Sequence, residues 1–68
     1  MRKLAEFVGA GTKRPVFIDP HEVAIIIGDA SDTGQLFCHI LLANGGGTVV
    51  EGDAKTVYNT FHESERLN

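Results

Sequence analysis

The sequence predicts an α+β fold: a small twisted antiparallel β-meander or barrel of about five strands with one C-terminal helix. Short apolar runs rich in β-branched residues alternate with turns that contain glycine or proline. After Asp53 the apolar residues recur instead at the spacing of a helix. The chain has 68 residues, which suits one domain, and we expect that domain to span residues 1–68.

The first predicted strand covers residues 4–8, and the glycine-containing residues 9–13 predict a hairpin loop after it. The second strand covers residues 14–18, where Pro15 is tolerated at the start or on an edge. Asp19 and Pro20 then predict a short helical turn, because aspartate caps a helix start and proline suits its first position.

The third strand is predicted over residues 23–27 and is followed by a polar turn over residues 28–34. The fourth covers residues 36–43, the Asn-Gly sequence at residues 44–45 indicates a hairpin, and the fifth strand covers residues 48–51. Asp53 is the predicted N-cap of a helix that runs to about Glu65. Its inward stripe is predicted to be Ala54, Val57, Tyr58 and Phe61.

Both faces of the two central strands are apolar, and one helix covers only one of them. Strict alternation sends Val23, Ile25 and Ile27 to one face of the third strand, and Ala24 and Ile26 to the other. In the fourth strand, Cys38 is predicted to face the helix. The predicted interface residues on the uncovered face are Ala24, Ile26, Phe37, His39 and Leu41.

Three outcomes for the uncovered face stay open, because a large exposed apolar patch is unusual in a soluble monomer. The chain curls into a barrel that buries this face, or a second copy covers it, or a different protein does, such as a host protein. If this face is an interface, protonation of His39 adds charge to it, and we expect acid to weaken association.

The charge balance excludes a strongly basic binder. The formal net charge is −3, but residues 1–14 carry four basic residues against one acid, whereas residues 15–68 carry two against eight. The basic end includes a glycine loop without the Walker spacing. The candidate ligand or anion site consists of loop residues from two hairpins: Gly9, Gly11, Thr12, Lys13, Arg14, Gly45 and Gly46.

No residue pattern predicts catalysis or a metal site. The Asp32-Thr33-Gly34 sequence matches the tripeptide of aspartic proteases, which a dimer could supply in duplicate, but residues 28–31 separate it from the preceding strand. Adjacent Cys38 and His39 point to opposite faces of a strand and cannot chelate one ion. We therefore expect no catalytic residue, no metal and no cofactor, with a dimeric aspartic-type hydrolase as a remote alternative.

The single cysteine, Cys38, cannot form an internal disulfide and fits a reducing compartment. The longest wholly apolar run, residues 23–27, has five residues, far short of the roughly twenty that a membrane span needs. The first residues do not form a signal peptide. We expect a cytoplasmic protein of bacterial or viral origin that does not contact membranes.

The order of parts around Phe17, Ile18, Asp19, Pro20 and Val23 resembles the FlbD/SwrD-like small motility proteins of bacteria and similar short phage-encoded proteins. The resemblance covers about residues 16–61 and departs from the family at Asp19, where asparagine is expected, and at the long glycine run of residues 45–47. It implies the same small β-fold and a non-enzymatic role, and it assigns no catalytic residue.

Taken together, these features predict a non-catalytic binding module that acts through protein–protein contact as a homo-oligomer. The alternative is a protein that binds or sequesters a nucleotide or nucleic acid through the basic glycine loop, as a phage-type inhibitor would.

Overall fold

In a computed structural model of the chain, which describes residues 4–66, five antiparallel strands precede one C-terminal helix. The predicted α+β class is therefore confirmed. A 3₁₀ turn at Pro20–Glu22 follows the second strand. The strands are β1 (Ala5–Val8), β2 (Pro15–Ile18), β3 (Val23–Ala30), β4 (Leu36–Leu42) and β5 (Gly47–Glu51), and the helix is α1 (Ala54–Arg66).

The strands form two sheets rather than one continuous meander. β1 and β2 make a hairpin, and β3, β4 and β5 make a three-stranded sheet in that order. A single bridge between Gly9 and Val50 joins the two sheets, so that β1 continues beside β5. The chain between β2 and β3 makes the 3₁₀ turn, which Asp19 caps by accepting a hydrogen bond from the His21 N–H at 2.9 Å.

The core lies between α1 and one face of these strands. Phe7 of β1 contacts Phe61 of the helix with ring centroids 4.8 Å apart. Ile40 and Val50 in the central sheet and Val57 in the helix are almost completely buried. The buried apolar residues are Ala5, Phe7, Ile18, Cys38, Ile40, Val50, Val57 and Phe61.

The helix begins where Asp53 predicts. The Asp53 carboxylate accepts a hydrogen bond from the Thr56 N–H at 3.2 Å, and its carbonyl accepts one from the Val57 N–H at 3.0 Å. Its inward stripe was predicted partly wrongly, because Tyr58 is 59% exposed. Ser64 is buried instead, so the core side of the helix follows Ala54, Val57, Phe61 and Ser64.

β3 departs most from its predicted form. It continues through Gly28, Asp29 and Ala30, which local propensity assigns to a turn. Its register with β4 shifts between Val23 and Ile25, as a β-bulge does. Val23 and Ile26 consequently both pack against the core.

The predicted faces of β3 are therefore wrong for its isoleucines. The irregularity beside Ala24 breaks the strict alternation, so Ile26 turns toward the helix while Ile25 and Ile27 point away from it. Gly28 shares the helix-facing side of β3, where a Cβ atom would lie 3.1 Å from the Cβ of Ala54. The start of the helix thus approaches the backbone of β3 closely.

We predict that Ile40→Val lowers the free energy of unfolding by about 1 kcal/mol, because it removes one buried methyl group from the core. Ile25→Val, the matched change at an exposed site of the neighbouring strand, should change it by less than about 0.5 kcal/mol. Urea denaturation at low protein concentration measures both values. Equal losses for the two variants would contradict the assignment of inside and outside.

The Asp53 cap predicts a pH dependence of stability. Hydrogen bonds from the side chain and N–H of Thr56 hold the pKa of Asp53 below its ordinary value of 3.8. A group whose pKa is lower in the folded state stabilises the fold above its unfolded pKa and loses that contribution as the pH falls. The wild type should therefore exceed Asp53→Asn in stability at pH 7, and the margin should shrink below about pH 4.

Asparagine suits this comparison because it caps helices about as well as aspartate but does not titrate. The denaturation midpoints of both proteins between pH 7 and pH 3 measure the margin. A margin that widens on acidification would show that the carboxylate of Asp53 is not stabilised by the helix start.

Candidate functional site

One face of the β3–β4–β5 sheet lies opposite the helix, and we call it the open face. It follows from the strand register, in which Ile25 lies opposite Leu41 and Ile27 opposite His39. Ile25 is 49% exposed, Ile27 47% and Leu41 40%. The nine positions of the open face are Ile25, Ile27, Asp29, Phe37, His39, Leu41, Gly47, Val49 and Glu51.

The open face is apolar at the end that bears Ile25 and Leu41, and its carboxylates, Asp29 and Glu51, lie at the other end beside Phe37. The rings of Phe37 and His39 meet edge to face with centroids 5.4 Å apart. The Nε2 atom of His39 lies 3.7 Å from the Asp29 carboxylate. The His39 ring therefore lies between the Phe37 ring and a carboxylate.

The basic glycine loop is a tight hairpin, as its sequence predicts. Gly9 donates to the Arg14 carbonyl at 2.8 Å, and Lys13 donates its N–H to the Gly9 carbonyl at 3.0 Å. A Cβ atom at Gly9 would come within 2.5 Å of the Thr12 hydroxyl oxygen and 3.3 Å of the Arg14 carbonyl oxygen. A side chain at residue 9 would therefore require the Thr12 hydroxyl to rotate and the Arg14 carbonyl to shift slightly.

This loop borders a cleft of about 300 Å³ at the charged end of the open face. The ammonium group of Lys13 forms an ion pair with Glu51, which also accepts a hydrogen bond from Gln35 at 3.5 Å. That pairing balances the positive charge predicted to attract an anion. The cleft is lined by Ala10, Gly11, Lys13, Ser31, Gln35, Phe37 and Val49.

The second glycine loop lies elsewhere. The turn between β4 and β5 is closed by a hydrogen bond from the Gly46 N–H to the Asn44 side chain at 2.8 Å. Ala43, which precedes Asn44, donates its N–H to the Glu22 carbonyl at 2.7 Å. This end of β4 therefore lies beside the 3₁₀ turn. Gly45 and Gly46 do not line the cleft that Gly11 and Lys13 border, and neither do Gly9, Thr12 or Arg14.

The Asp32-Thr33-Gly34 sequence forms the exposed turn between β3 and β4. Ser31 organises this turn: its hydroxyl lies 2.9 Å from that of Thr33 and accepts the Gln35 N–H at 3.1 Å. The Gly34 N–H donates to the Ser31 carbonyl at 2.9 Å. The residues of the tripeptide thus serve a local turn in this chain.

Cys38 lies in the core, with its Sγ donating to the Gly52 carbonyl at 3.3 Å. Burial, and then the Asp53 carboxylate, raise the pKa of this thiol. Both effects disfavour a thiolate. Among residues 4–66, no group of three or more histidine, cysteine or acidic side chains is arranged to hold a metal ion.

No family model, curated protein or solved structure matches this chain. The resemblance to the FlbD/SwrD-like proteins therefore stays a prediction. No helix within the described part of the chain is long and apolar enough to cross a membrane.

The structure brings together only part of each predicted site. Phe37, His39 and Leu41 share the open face, whereas Ile26 packs toward the core and Ala24 lies exposed at the register shift. Sequence reasoning missed Ile25 and Ile27. The glycine at residue 28 could have indicated them. If Gly28 belongs to the strand and faces the helix, Ile26 faces the helix as well, and Ile25 and Ile27 face away from it.

Proposed function

We propose that this protein is a non-catalytic binding module that acts through protein–protein contact, and that its open face binds a second copy of the chain. One observation carries the proposal. Exposed Ile25, Ile27 and Leu41 adjoin one another on two paired strands of the open face, on the side of the sheet opposite the helix. Burial of such a surface is the main favourable term in protein association.

The arrangement of charge supports a second copy as the occupant. The apolar side chains of Ile25 and Leu41 lie toward one end of the open face, and Asp29 and the Lys13–Glu51 ion pair lie toward the other. A twofold axis would place the apolar parts of two copies in contact and their acidic ends at opposite edges, where water reaches them. Two sheet faces pack in this way about 10 Å apart in β-sandwiches.

The buried, protonated thiol of Cys38 is compatible with the cytoplasm, where we place the protein. A bacterial or phage origin, which the resemblance implies, belongs to the same proposal.

A second function is supported by the cleft beside the glycine loop. Its volume is at the lower end of the range for small-molecule sites. Gly11 and Lys13 border it, and Phe37 offers a ring on which a base could stack. A nucleotide phosphate would have to replace Glu51 as the partner of Lys13, so we rank nucleotide binding below self-association.

The proposed self-association predicts the effect of Ile25→Lys. An ammonium group opposite Leu41, on the part of the open face that carries no acidic side chain, should raise the dissociation constant of the dimer at least about tenfold, because a buried charge lacks a partner there. Sedimentation equilibrium and native mass spectrometry over a concentration series measure this constant.

The matched control is Phe17→Lys, which alters a similarly exposed apolar residue of β2 opposite Glu6. Lysine there gains a cross-strand acidic neighbour, so this variant should associate as the wild type does. A monomeric wild type at millimolar concentration, or equal effects of the two substitutions, would overturn the proposal.

Nucleotide binding predicts that Lys13→Ala weakens any affinity for ATP, GTP or a cyclic dinucleotide, whereas Lys55→Ala on the exposed side of the helix does not. Isothermal titration at low and high salt measures these affinities, and binding should weaken as salt rises. No heat of binding for the wild type with these three probes would remove the alternative, whatever the oligomeric state.

A further inference from the structure

A groove runs between the outer edge of β3 and the helix, and we propose that it binds an extended, arginine-containing segment of a partner protein as an added β-strand. This groove is distinct from the open face, so the proposal does not depend on self-association. Its two supports are the unpaired backbone groups along one wall and the acidic, aromatic chemistry of the other.

The hydrogen-bond pattern of the sheet shows which groups are available. In β4, Leu42 donates its N–H to Gly46, and the Leu36 carbonyl accepts from Gly52, so the even-numbered residues direct their backbone groups toward β5. In an antiparallel sheet the alternate residues then bond to the other neighbour. Phe37, His39 and Leu41 therefore bond to β3.

Their partners on β3 are Ile25, Ile27 and Asp29, and these use their backbone groups toward β4. Ile26 and Gly28 lie between them and direct their N–H and carbonyl groups outward, away from the sheet. Within residues 4–66, neither forms a backbone hydrogen bond to another element on that side. An extended chain is the partner that satisfies donors and acceptors at this two-residue spacing.

The groove beside this edge has a volume of about 410 Å³. Its strand side is formed by Pro20, Val23, Ala24 and Ile26. Its helix side is formed by Tyr58, Phe61, His62 and Glu65, which recur at helical spacing along one stripe. An added strand would place alternate apolar side chains against Ile26, which packs against the core, and against Phe61, which belongs to the core and lines the groove.

The two ends of the groove are bordered by different groups. At Gly28 the start of the helix approaches β3, and a Cβ atom on Gly28 would already touch Ala54 at 3.1 Å. At the other end, His21 lies between two carboxylates, with Nδ1 3.3 Å from Asp19 and Nε2 3.7 Å from Glu65. Two carboxylates therefore lie at the end of the groove beside His21.

This chemistry selects a basic occupant. The rings of Tyr58 and His62 lie nearly parallel with centroids 6.2 Å apart, and both line the groove together with Glu65. An arginine side chain can lie on a tyrosine ring while it pairs with a carboxylate. The C-terminal end of the helix, where Glu65 lies, also favours positive charge.

The same chemistry disfavours a second copy of β3 as the occupant. An antiparallel β3 would bring Asp32, from the turn that follows it, toward the carboxylates beside His21. Like charges at such a contact suppress pairing.

The test uses a fluorescein-labelled peptide that alternates valine and threonine and carries an arginine at each end. We expect it to bind the full chain with a dissociation constant below about 1 mM by fluorescence anisotropy. A peptide with glutamate in place of both arginines should bind at least about threefold more weakly. A peptide with N-methylated amides at alternate positions should not bind, because it cannot extend the sheet.

Two charge reversals on the helix locate the contact. Glu65→Lys should raise the dissociation constant at least about threefold, whereas Glu63→Lys, which changes net charge equally outside the groove, should leave it within about twofold. Equal effects of both variants would mean that the peptide responds only to overall charge, and would overturn the proposal.

Amide hydrogen exchange provides a measurement without substitutions. The N–H groups of Ile26 and Gly28 should exchange quickly in the dilute free protein and become protected when the arginine peptide is added. Protection of both that instead rises with protein concentration alone would identify a second copy as the occupant. No binding of the arginine peptide at 1 mM, or equal binding of the N-methylated peptide, would likewise refute the proposal.

Discussion

The structure depends on the packing of one 13-residue helix against one side of a sheet whose strands are apolar on both sides. The helix begins over Gly28 and carries Phe61 to Phe7 at 4.8 Å. That contact ties the β1–β2 hairpin to the same core as the three-stranded sheet. A chain of this size buries only about 60% of the surface that its unfolded form exposes. One helix covers one side of the sheet, so the apolar side chains on the other side stay exposed to water.

Most of the elements could be predicted from the sequence because their signals are local. The Asp53 cap, the Asn44-Gly45 turn and the β-branched runs each act over a few residues, and the structure has an element at each. Tyr58 was misplaced because helical spacing alone cannot decide which side of an apolar stripe faces the core. Ser64 is buried although it is polar, so the side of the helix that faces the core is not its most apolar side.

The faces of β3 could not be predicted because they depend on tertiary packing. Gly28 and Asp29 are weak strand formers, yet pairing with Cys38 and Phe37 keeps them in the sheet. No residue within the apolar run of residues 23–27 signals the register shift near Ala24. A shift of one residue exchanges the two faces of a strand. Relative to the predicted alternation, Ile26 therefore faces the core, and Ile25 and Ile27 face away from it.

The candidate loop site shows a second limit of sequence reasoning. Glycine-rich loops are easy to recognise, but whether two of them meet depends on the order of strands. β1 pairs with β2 and bridges to β5, which places Gly11 and Lys13 beside Phe37, whereas the residue preceding Asn44, Ala43, bonds to Glu22. Glu51 also forms an ion pair with Lys13 and offsets its charge. The two residues are 38 positions apart in the sequence, so no local pattern predicts this pairing.

The open face and the groove both arise from the position of the helix. The helix covers the side of the sheet that bears Ile40 and Val50, so the opposite face keeps its isoleucines exposed. It lies across the end of β3 at Gly28 but leaves a gap at Ile26, and this gap keeps the edge accessible. A longer side chain at residue 28 would move the helix start and so alter the groove, while the open face, which lies on the other side of the strand, would keep its composition.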